Sequence, residues 1–526
     1  MIFEIYSRLI SPQQLLFISI QRFSWYNFGM KKLKPILFFI TILLISFIVA
    51  ANVTNFDFDL WARLIAGMGF IDGGHVLKTD FLSYTPTHTW WDHEYGSGIV
   101  FYFFLKHFGA YSLILLQTAI VFTIFATINQ ITKLRGVKTP YNFIFYFFAL
   151  IALAPNLGSP IRCHLFSFLF FTIFLLILEI SRKGKYRLLY ILPFLTIIWN
   201  NLHGGVVSGI GLIMMYTFAQ IIEKKPFKHY LIASVISFAS LIINPWGWEY
   251  IKFLLMANTM QRTHVAEWWG LFSKHQLFNQ IPFKVFMLLV VALEYWHLKK
   301  SKLKAEWRNL DTAKYIVLAT TLFLAIQHVK LLPFFVISAT AFCYEDFELL
   351  ASKFPKWSDN FTCALVFILC LFSFSIKKYE LPVSFSNYPI QEVEFIKANH
   401  LSGKILVNFG LGSFVSYKLY PQNLIYMDGR YEEVYYDELV ELLDKFFVIK
   451  PEWDTVLKKY TPDIMIIEKY YPIYSVLNGM KEWTDIFEGE TFAVFVKTKD
   501  LKQSYTAPPT DKKYYKDTLF DTSIKF

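Results

Sequence analysis

Two aspartates in the stretch "NFDFDLWARL" are the side chains best suited to chemistry. Asp57 and Asp59 lie one residue apart, directly after a long apolar run. A carboxylate can take a proton from a hydroxyl or an amide as a general base. Two carboxylates on one face of an extended segment can instead bind Mg²⁺ or Mn²⁺. One of them can also simply pair with Arg63 or Arg162, and the sequence leaves these three interpretations open.

Further polar side chains gather in short stretches along the rest of the chain. One stretch, "TWWDHEY", combines two acids and a histidine with two tryptophans. Clusters of titratable groups are typical of functional sites, whereas tryptophans near a membrane also serve as interface anchors. The candidate residues beyond the aspartate pair are Trp91, Asp92, His93, Glu94, Arg162, His164, His203, Arg262, Glu267, Lys330, Asp428 and Arg430.

The composition indicates a membrane protein. Of the 526 residues 55% are hydrophobic and only 17% are charged, and the mean hydropathy is +0.40. A soluble chain of this size would carry more charge, and several apolar runs approach the roughly 20 residues of a bilayer-spanning helix. We predict a polytopic α-helical membrane protein with about eleven transmembrane helices. The predicted spans are 35–52, 111–132, 140–155, 164–180, 188–200, 204–222, 229–244, 281–298, 313–328, 330–345 and 360–376.

The distribution of charge predicts how these helices are oriented. The net charge is +11, but the basic residues cluster in short loops such as "KLRGVK" and "SRKGKYR". This pattern follows the positive-inside rule and gives no reason to expect nucleic acid as a partner. It predicts a cytoplasmic segment at 1–34 and a transmembrane domain at 35–376, with a first outer loop at 53–110.

Two short segments do not fit a simple span. The run 96–108 is too short to cross a bilayer comfortably, so we expect an interfacial or re-entrant helix there. Residues 1–29 contain no apolar pattern long enough to span. They are expected to form an interfacial segment, or translation begins at Met30.

Residues 377–526 are predicted to form a soluble α/β domain on the outer side. The runs "GKILVNFG", "NLIYMDG", "DIMIIEK" and "TFAVFVK" are typical of short buried strands. "IQEVEFIKANH" and "YDELVELLDKFFV" have the pattern of amphipathic helices. The polar residues after about 500 are expected to be loosely ordered. The cysteines show no metal or disulfide spacing and are expected to be buried hydrophobes: Cys163, Cys343, Cys363 and Cys370.

The predicted topology puts all the polar stretches on one side of the membrane. Acids, imidazoles, cations and tryptophans gathered at one interface indicate a site. Purely structural roles remain open for single members of this group. Tight turns explain the glycines around His203, and an internal salt bridge explains Asp428 and Arg430 as well as ligand binding does.

The order of these motifs resembles the GT-C superfamily, the integral-membrane glycosyltransferases that use polyprenyl-phosphate-linked sugars. "DFDLWARLIAGMGFIDGGHVLKTDFLSYTPTHTWWDHEYGS" is similar to the opening of a broad bacterial family in that group. "SPIRCHLFSF", "WNNLHGG", "INPWGWEY", "VAEWW" and "YMDGRYEEVY" fit its later landmarks. One departure is Ala62 after Trp61, where many relatives would have paired tryptophans.

The resemblance implies an inverting transfer, in which an acceptor attacks the anomeric carbon and the lipid phosphate leaves. Asp57 matches the carboxylate that activates the acceptor, with Asp59 beside it, and the same pair would hold Mg²⁺ or Mn²⁺ if a metal is used. The implied phosphate-binding residues are Arg162, Lys330, Arg262 and His164. The implied substrate-binding residues are Asp92, His93, Glu94, Trp91, His203, Glu267, Asp428 and Arg430.

The resemblance also implies a multi-pass protein of a bacterial inner membrane, active on its extracytoplasmic face. The expected partners are a polyprenyl-phosphate-linked sugar, membrane lipid, and a glycan, lipid or protein acceptor. Two other functions stay open, namely a transporter or flippase of lipid-linked glycans and an inactive GT-C-like scaffold. Transporters usually have charged sites near the bilayer midplane and internal repeats, and neither pattern is evident here.

Overall fold

The computed structural model describes residues 33–52, 55–137, 143–157, 161–260, 262, 265–300, 310–351, 353, 357–376 and 379–526. Most of the predicted cytoplasmic segment, residues 1–32, therefore lies outside the described residues.

The first two thirds of the chain are helical. The helices are α1 (Leu33–Ala51), α2 (Leu60–Ile71), α3 (Tyr95–Phe108), α4 (Tyr111–Leu134), α5 (Phe143–Leu157), α6 (His164–Arg182), α7 (Leu192–Leu202), α8 (Val206–Ile222), α9 (Lys228–Ser240), α10 (Trp248–Thr259), α11 (Ile281–Lys300), α12 (Thr312–Gln327), α13 (Leu332–Ala351) and α14 (Trp357–Ile376). Each predicted span falls on one of them, and 188–200 also includes a 3₁₀ turn at Tyr186–Ile191. The sequence did not predict α2 and α10 as separate helices.

Four of these helices are long and apolar enough to cross a membrane by length and composition, namely α1, α4, α6 and α11. Others, among them α5, α8 and α12, are apolar but shorter. The class of polytopic helical membrane protein is therefore supported, while the number of eleven spans stays a prediction. The helix at 96–108 is present as α3, and its relation to the bilayer also stays a prediction.

Helices α2 and α3 bring two acidic stretches to the same place. Arg63 contacts Glu94 near the start of both helices, and Asp72 contacts Lys106 near their ends, so the helices run parallel. They pack so closely that a Cβ on Gly67 would lie 2.2 Å from the carbonyl oxygen of Gly98. Their N-termini therefore lie side by side, where helix dipoles favour negative charge.

Residues 379–526, which we call the outer domain after their predicted location, contain one five-stranded sheet. Its strands are β1 (Gly403–Val407), β2 (Asn423–Ile425), β3 (Ile464–Glu468), β4 (Trp483–Glu488) and β5 (Phe492–Lys497). They are arranged in the order β2-β1-β3-β5-β4, with β2, β1 and β3 parallel and the β3–β5 and β5–β4 pairs antiparallel. The four predicted strands are β1, β2, β3 and β5. Strand β4 was missed because its sequence, "WTDIFE", mixes polar and apolar residues without a clear pattern.

Helices alternate with these strands along the chain, and the last helix follows the last strand. They are α15 (Ile390–Ala398), α16 (Phe409–Leu419), α17 (Asp437–Val448), α18 (Thr455–Tyr460), α19 (Pro472–Gly479) and α20 (Lys512–Thr518). The two predicted amphipathic helices are α15 and α17. The predicted strand "GKILVNFG" is too long, because Asn408 caps α16 through its side-chain oxygen, which accepts from the Gly410 N–H at 3.3 Å.

The expectation of a loose C-terminal segment is wrong. The ammonium of Lys418 donates to the carbonyl of Thr518 at 2.7 Å, and the Tyr417 hydroxyl donates to that of Phe520 at 2.7 Å. Tyr515 and Ile524 are buried. The sequence misled because a few well-spaced apolar residues anchor an otherwise polar segment.

The segment between α2 and α3, part of the predicted first outer loop and called the loop below, is joined to the edge of the sheet. Backbone N–H groups of Tyr84 and Ile425 donate to the carbonyls of Ile425 and Leu82, at 3.0 and 2.9 Å. Ser83 thereby forms a parallel bridge with Ile425, beside β2. The Trp91 N–H also donates to the Glu433 carbonyl at 3.1 Å. Loop and outer domain therefore form one structural unit.

Candidate functional site

A cavity of about 760 Å³ lies between the membrane helices and the outer domain. Its upper wall carries both aspartates, together with polar side chains from several loops. Its lower part passes between α6, α8, α12 and α13, where the wall is mainly apolar. The cavity thus connects a charged rim to the interior of the helical domain.

Arg162 holds both aspartates at this rim. Its Nε lies 3.1 Å from Oδ2 of Asp57 and its Nη2 lies 3.4 Å from Oδ2 of Asp59, while Nη1 pairs with Glu267. The other oxygen of Asp57 accepts the backbone N–H of Asp59 at 3.1 Å. The side chain of Asp57 is nearly buried, whereas that of Asp59 is 43% exposed to the cavity.

The environment shifts the pKa values of the acids in this group in opposite directions. Burial, opposed by the charge of Arg162, raises the pKa of Asp57 above its ordinary value. Burial and the neighbouring Asp57 raise the pKa of Asp59 to about 7. Burial also acts on Glu267, but the charges of Arg162 and Lys330 lower its pKa to about 2. Near neutral pH the aspartate pair can therefore exchange a proton, and Glu267 stays ionised.

A second buried ion cluster surrounds Arg63, which is only 3% exposed. Its guanidinium pairs with Asp92 and lies 3.2 Å from Glu94 and 3.0 Å from Glu433. Nδ1 of His93 lies 2.8 Å from the same Glu433. Residues of α2, of the first outer loop and of the outer domain meet in this cluster.

The charges in this cluster also shift the pKa values of its members. Burial raises the pKa of Asp92 to about 7 although Arg63 opposes it. Burial alone would lower the pKa of His93, but Glu433 and Glu94 raise it to about 9. His93 is therefore protonated at neutral pH and adds a second positive charge to the cluster.

The fit of a metal ion can be tested on these contacts. Among the described residues, His93, Glu94 and Glu433 form the one group of three or more whose ligand atoms lie within 4.8 Å of one another. Arg63 already pairs with both of these glutamates. The two aspartates both face Arg162, which fits pairing with arginine better than a cation site.

The candidate phosphate ligands line the same cavity. The guanidinium of Arg262 lies 4.6 Å from the ring centre of Trp268 and also pairs with Glu432. The ammonium of Lys330 lies 5.4 Å from the same ring and makes no ion pair or hydrogen bond with the described residues. It is thus a positive charge without a fixed partner at the cavity wall.

Two histidines complete this wall. Nε2 of His164 lies 3.4 Å from the carbonyl oxygen of Asn156. His203 lies 3.2 Å from Glu94 through Nε2 and 2.7 Å from the hydroxyl of Ser167 through Nδ1. Both rings border the cavity.

The described residues that line this cavity do not include three of the predicted substrate-binding residues. Trp91 packs on Phe253, with ring centres 5.8 Å apart, and Asp92 is enclosed by the Arg63 cluster. Asp428 is fully buried and lies 2.9 Å from Nε of Arg430.

Arg430 borders the cavity but is committed to internal contacts. Its guanidinium lies 2.7 Å from Asp80 and 4.5 Å from the ring centre of Trp90. The geometry therefore favours the internal salt bridge with Asp428 that the sequence left open.

Sequence reasoning gave no site role to two residues that organise the site, Arg63 and Glu433. Arg63 was considered only as a partner for the aspartates, and Glu433 was part of a quoted motif. An arginine in the otherwise apolar "LWARLIAGM" was a usable signal, because a buried charge requires a partner. Nothing in the sequence identified that partner, which is 370 residues away.

No known protein family and no curated protein matches this sequence. The resemblance to a particular bacterial family therefore stays a prediction. Solved structures of the oligosaccharyltransferase from Archaeoglobus fulgidus, by contrast, are similar in fold. The apo form has a TM-score of 0.56 at 11% identity, covering 82% of this chain and 69% of that one.

Two liganded structures of that enzyme are also similar. The form tethered to an acceptor peptide with the NVT sequon has a TM-score of 0.53 at 11% identity and covers 91% of this chain and 76% of that one. The complex with an inhibitory peptide and a dolichol-phosphate has a TM-score of 0.52 at 10% identity, covering 91% and 77%. The chain is thus similar in fold to the archaeal oligosaccharyltransferase.

Proposed function

We propose that this protein transfers a sugar from a polyprenyl-phosphate carrier to an acceptor, with inversion, at the extracytoplasmic face of a bacterial inner membrane. The observation that carries the proposal is one continuous cavity with acids and cations at its rim and an apolar lower part among membrane helices. An amphiphilic lipid with a charged head has the shape and polarity that such a cavity accepts. The similar archaeal enzyme was solved with a dolichol-phosphate, a ligand of the same chemical class.

The apolar lower part of the cavity suits the carrier chain. Phe168 and Phe171 of α6 face Met215 of α8 and Leu324 of α12 across it. Gly211 of α8 leaves the space open, because a Cβ at that position would meet no atom within 4 Å. Burial of an isoprenoid chain against these side chains would supply the hydrophobic part of donor binding.

Lys330 and Arg162 are the proposed ligands of the donor phosphate. Lys330 has no fixed anionic partner among the described residues, so a phosphate can approach its ammonium without first breaking an ion pair. Arg162 can grip an oxyanion through two N–H groups, although it must then share its guanidinium with the acids. Both groups stabilise the negative charge that develops on the phosphate as it leaves.

The Asp57–Asp59 pair is the proposed base. One carboxylate of the pair takes the proton of the acceptor hydroxyl or amide, and the acceptor atom attacks the anomeric carbon. The bond between that carbon and the phosphate oxygen breaks, and the phosphate keeps the electron pair. The two acids share Arg162, so their titration belongs to the pair. A narrow recess of about 30 Å³ lies between Asp57, Asp59, Arg162 and Lys330 and gives a small acceptor group access to both acids.

The test uses purified protein in lipid nanodiscs with a panel of polyprenyl-phosphate sugars. Asp57→Asn and Asp59→Asn are expected to reduce turnover by about 10²–10⁴-fold, the usual contribution of a general base. Asp72→Asn is the matched control, because Asp72 lies at the far end of α2 and pairs with Lys106. Turnover near the wild-type value in both test variants refutes the assignment of the base. Movement of a labelled lipid-linked glycan without bond cleavage favours a transporter instead.

A further inference from the structure

A second, polar cavity of about 170 Å³ opens beside the first. Arg162, His164, Glu267 and Lys330 border both cavities, so these side chains form the wall between them. Beyond this wall the second cavity reaches the end of α5 and the loop that precedes α11. We call it the side pocket.

The side pocket contains buried amide groups without partners. Nδ2 of Asn156 and Oε1 of both Gln276 and Gln280 are buried and make no hydrogen bond with the described residues. Gln276 is only 7% exposed, and its Nε2 donates to the carbonyl of Ala266 at 3.3 Å, which fixes the orientation of its amide. Buried polar atoms in folded proteins are nearly always paired, and an unpaired one is costly. Three such atoms around one polar cavity indicate that whatever fills it, ordered water or a ligand that displaces the water, pairs with them.

The chemistry of the lining selects a neutral ligand that is rich in hydroxyls. A hydroxyl both donates and accepts hydrogen bonds, so one ligand can satisfy Oε1 of the two glutamines and Nδ2 of Asn156. Lys330 and Arg162 at the wall would attract a phosphate, but a phosphate only accepts hydrogen bonds, so inside the pocket it would leave Oε1 of both glutamines unpaired and would face the ionised Glu267. An apolar group would leave all three amides unpaired. Typical ligand pockets measure about 300–1,000 Å³, so a cavity of 170 Å³ suits a single ring.

We infer that the side pocket holds the sugar ring of the donor and that Gln276 and Gln280 select which sugar is transferred. This inference rests on the proposed function. In an inverting displacement the breaking and forming bonds lie on one line, which here runs from Lys330 toward the aspartate pair. The ring must then project sideways from that line, and the side pocket opens beside it at Arg162 and Glu267.

The experiment compares binding of two kinds of probe to the full-length protein in nanodiscs. One probe is farnesyl phosphate, and the others are farnesyl phosphates that carry common hexoses, pentoses or N-acetylhexosamines. The wild type is expected to bind at least one glycosylated probe at least ten-fold more tightly than bare farnesyl phosphate. Gln276→Ala and Gln280→Ala are each expected to remove about ten-fold of that preference, as for the loss of a buried hydrogen bond.

Controls separate a specific effect from loss of folding. Affinity for bare farnesyl phosphate should stay unchanged in both glutamine variants, which also shows that they are folded. Gln276→Leu keeps the side-chain volume and should lose the preference in the same way. Asn279→Ala, an exposed position in the same loop, should keep it.

Each other outcome overturns the inference in a recognisable way. A wild type that prefers none of the glycosylated probes has no sugar subsite of this kind. Glutamine variants that weaken bare farnesyl phosphate as much as the glycosylated probe would make the side pocket an anion site. A wild type that binds no farnesyl phosphate at all contradicts the proposed function itself, and the inference fails with it.

Discussion

Replacing Arg63 with methionine should destabilise the protein strongly, because this one guanidinium compensates three buried acids. Asp92, Glu94 and Glu433 all contact it, and methionine keeps most of its volume without the charge. Removing one partner of a buried ion pair costs about 3–5 kcal/mol. The predicted first outer loop and the outer domain form a unit of about 200 residues, for which each kcal/mol lowers the unfolding midpoint by roughly 2–4 °C. We therefore expect Arg63→Met to lower the midpoint by roughly 6–20 °C.

The assay is thermal unfolding of purified protein in nanodiscs, with Arg187→Met, an exposed arginine, as the control. The drop in unfolding midpoint caused by Arg63→Met should be greatest near pH 7 and should shrink toward pH 4. Although burial raises it, the charges of Arg63 and His93 keep the pKa of Glu433 below its ordinary value of 4.5 in the wild type, so this stabilisation is kept down to about pH 4.5 and is lost only below it. In the variant the uncompensated acids have raised pKa values, and acidification neutralises them. An equal drop in the unfolding midpoint for both substitutions at pH 7 would refute this reasoning. So would a difference in midpoint between the wild type and Arg63→Met that widens at low pH.

Three further predictions address the site and its orientation. Because burial and Asp57 raise the pKa of Asp59 to about 7, kcat/KM for sugar transfer should rise with pH through about 7, and Asp59→Asn should remove that limb of the profile. Gly211→Phe should fill the apolar part of the cavity and raise KM for a long-chain donor at least ten-fold, whereas Val235→Phe, at an exposed position of α9, should not. Since the native cysteines are buried, an impermeant maleimide should label Lys481→Cys in intact cells with a permeabilised outer membrane, and Lys183→Cys only after lysis. Labelling of Lys183→Cys alone in intact cells would contradict the predicted topology.

The helices of the membrane domain could be predicted because their signal is local. A run of apolar residues of the right length needs no knowledge of its neighbours, so each predicted span coincides with a helix. Helix α2 lacks such a signal, since "LWARLIAGMGFI" is short and contains a charge. Strand β4 is an edge strand that pairs only with β5. A bulge near Asp485 and Phe487 interrupts it and removes the alternation of polar and apolar residues by which a strand is predicted.

The site could be predicted only in part, because its parts are distant in the sequence. The aspartate pair and Arg162 stand out as charges next to apolar runs, and the structure brings them together. Gln276 and Gln280 have no such contrast, because amides are ordinary in a polar loop and become unusual only when buried without partners. The link between Arg63 and Glu433 depends on how the outer domain docks, and no local pattern encodes that arrangement.

The way this domain docks changes what it is expected to do. The first outer loop extends the sheet beside β2, Glu433 reaches into the Arg63 cluster, and Arg430 pairs with Asp80 of the loop. A domain whose only role was to bind an acceptor would need fewer buried ion pairs with the loop. These shared ion pairs fix the segments that precede α2 and α3, and those segments carry the aspartate pair and Glu94. We therefore expect the outer domain to act mainly by holding the acids in place over the cavity, so changes in its interior should alter activity even where no ligand touches it.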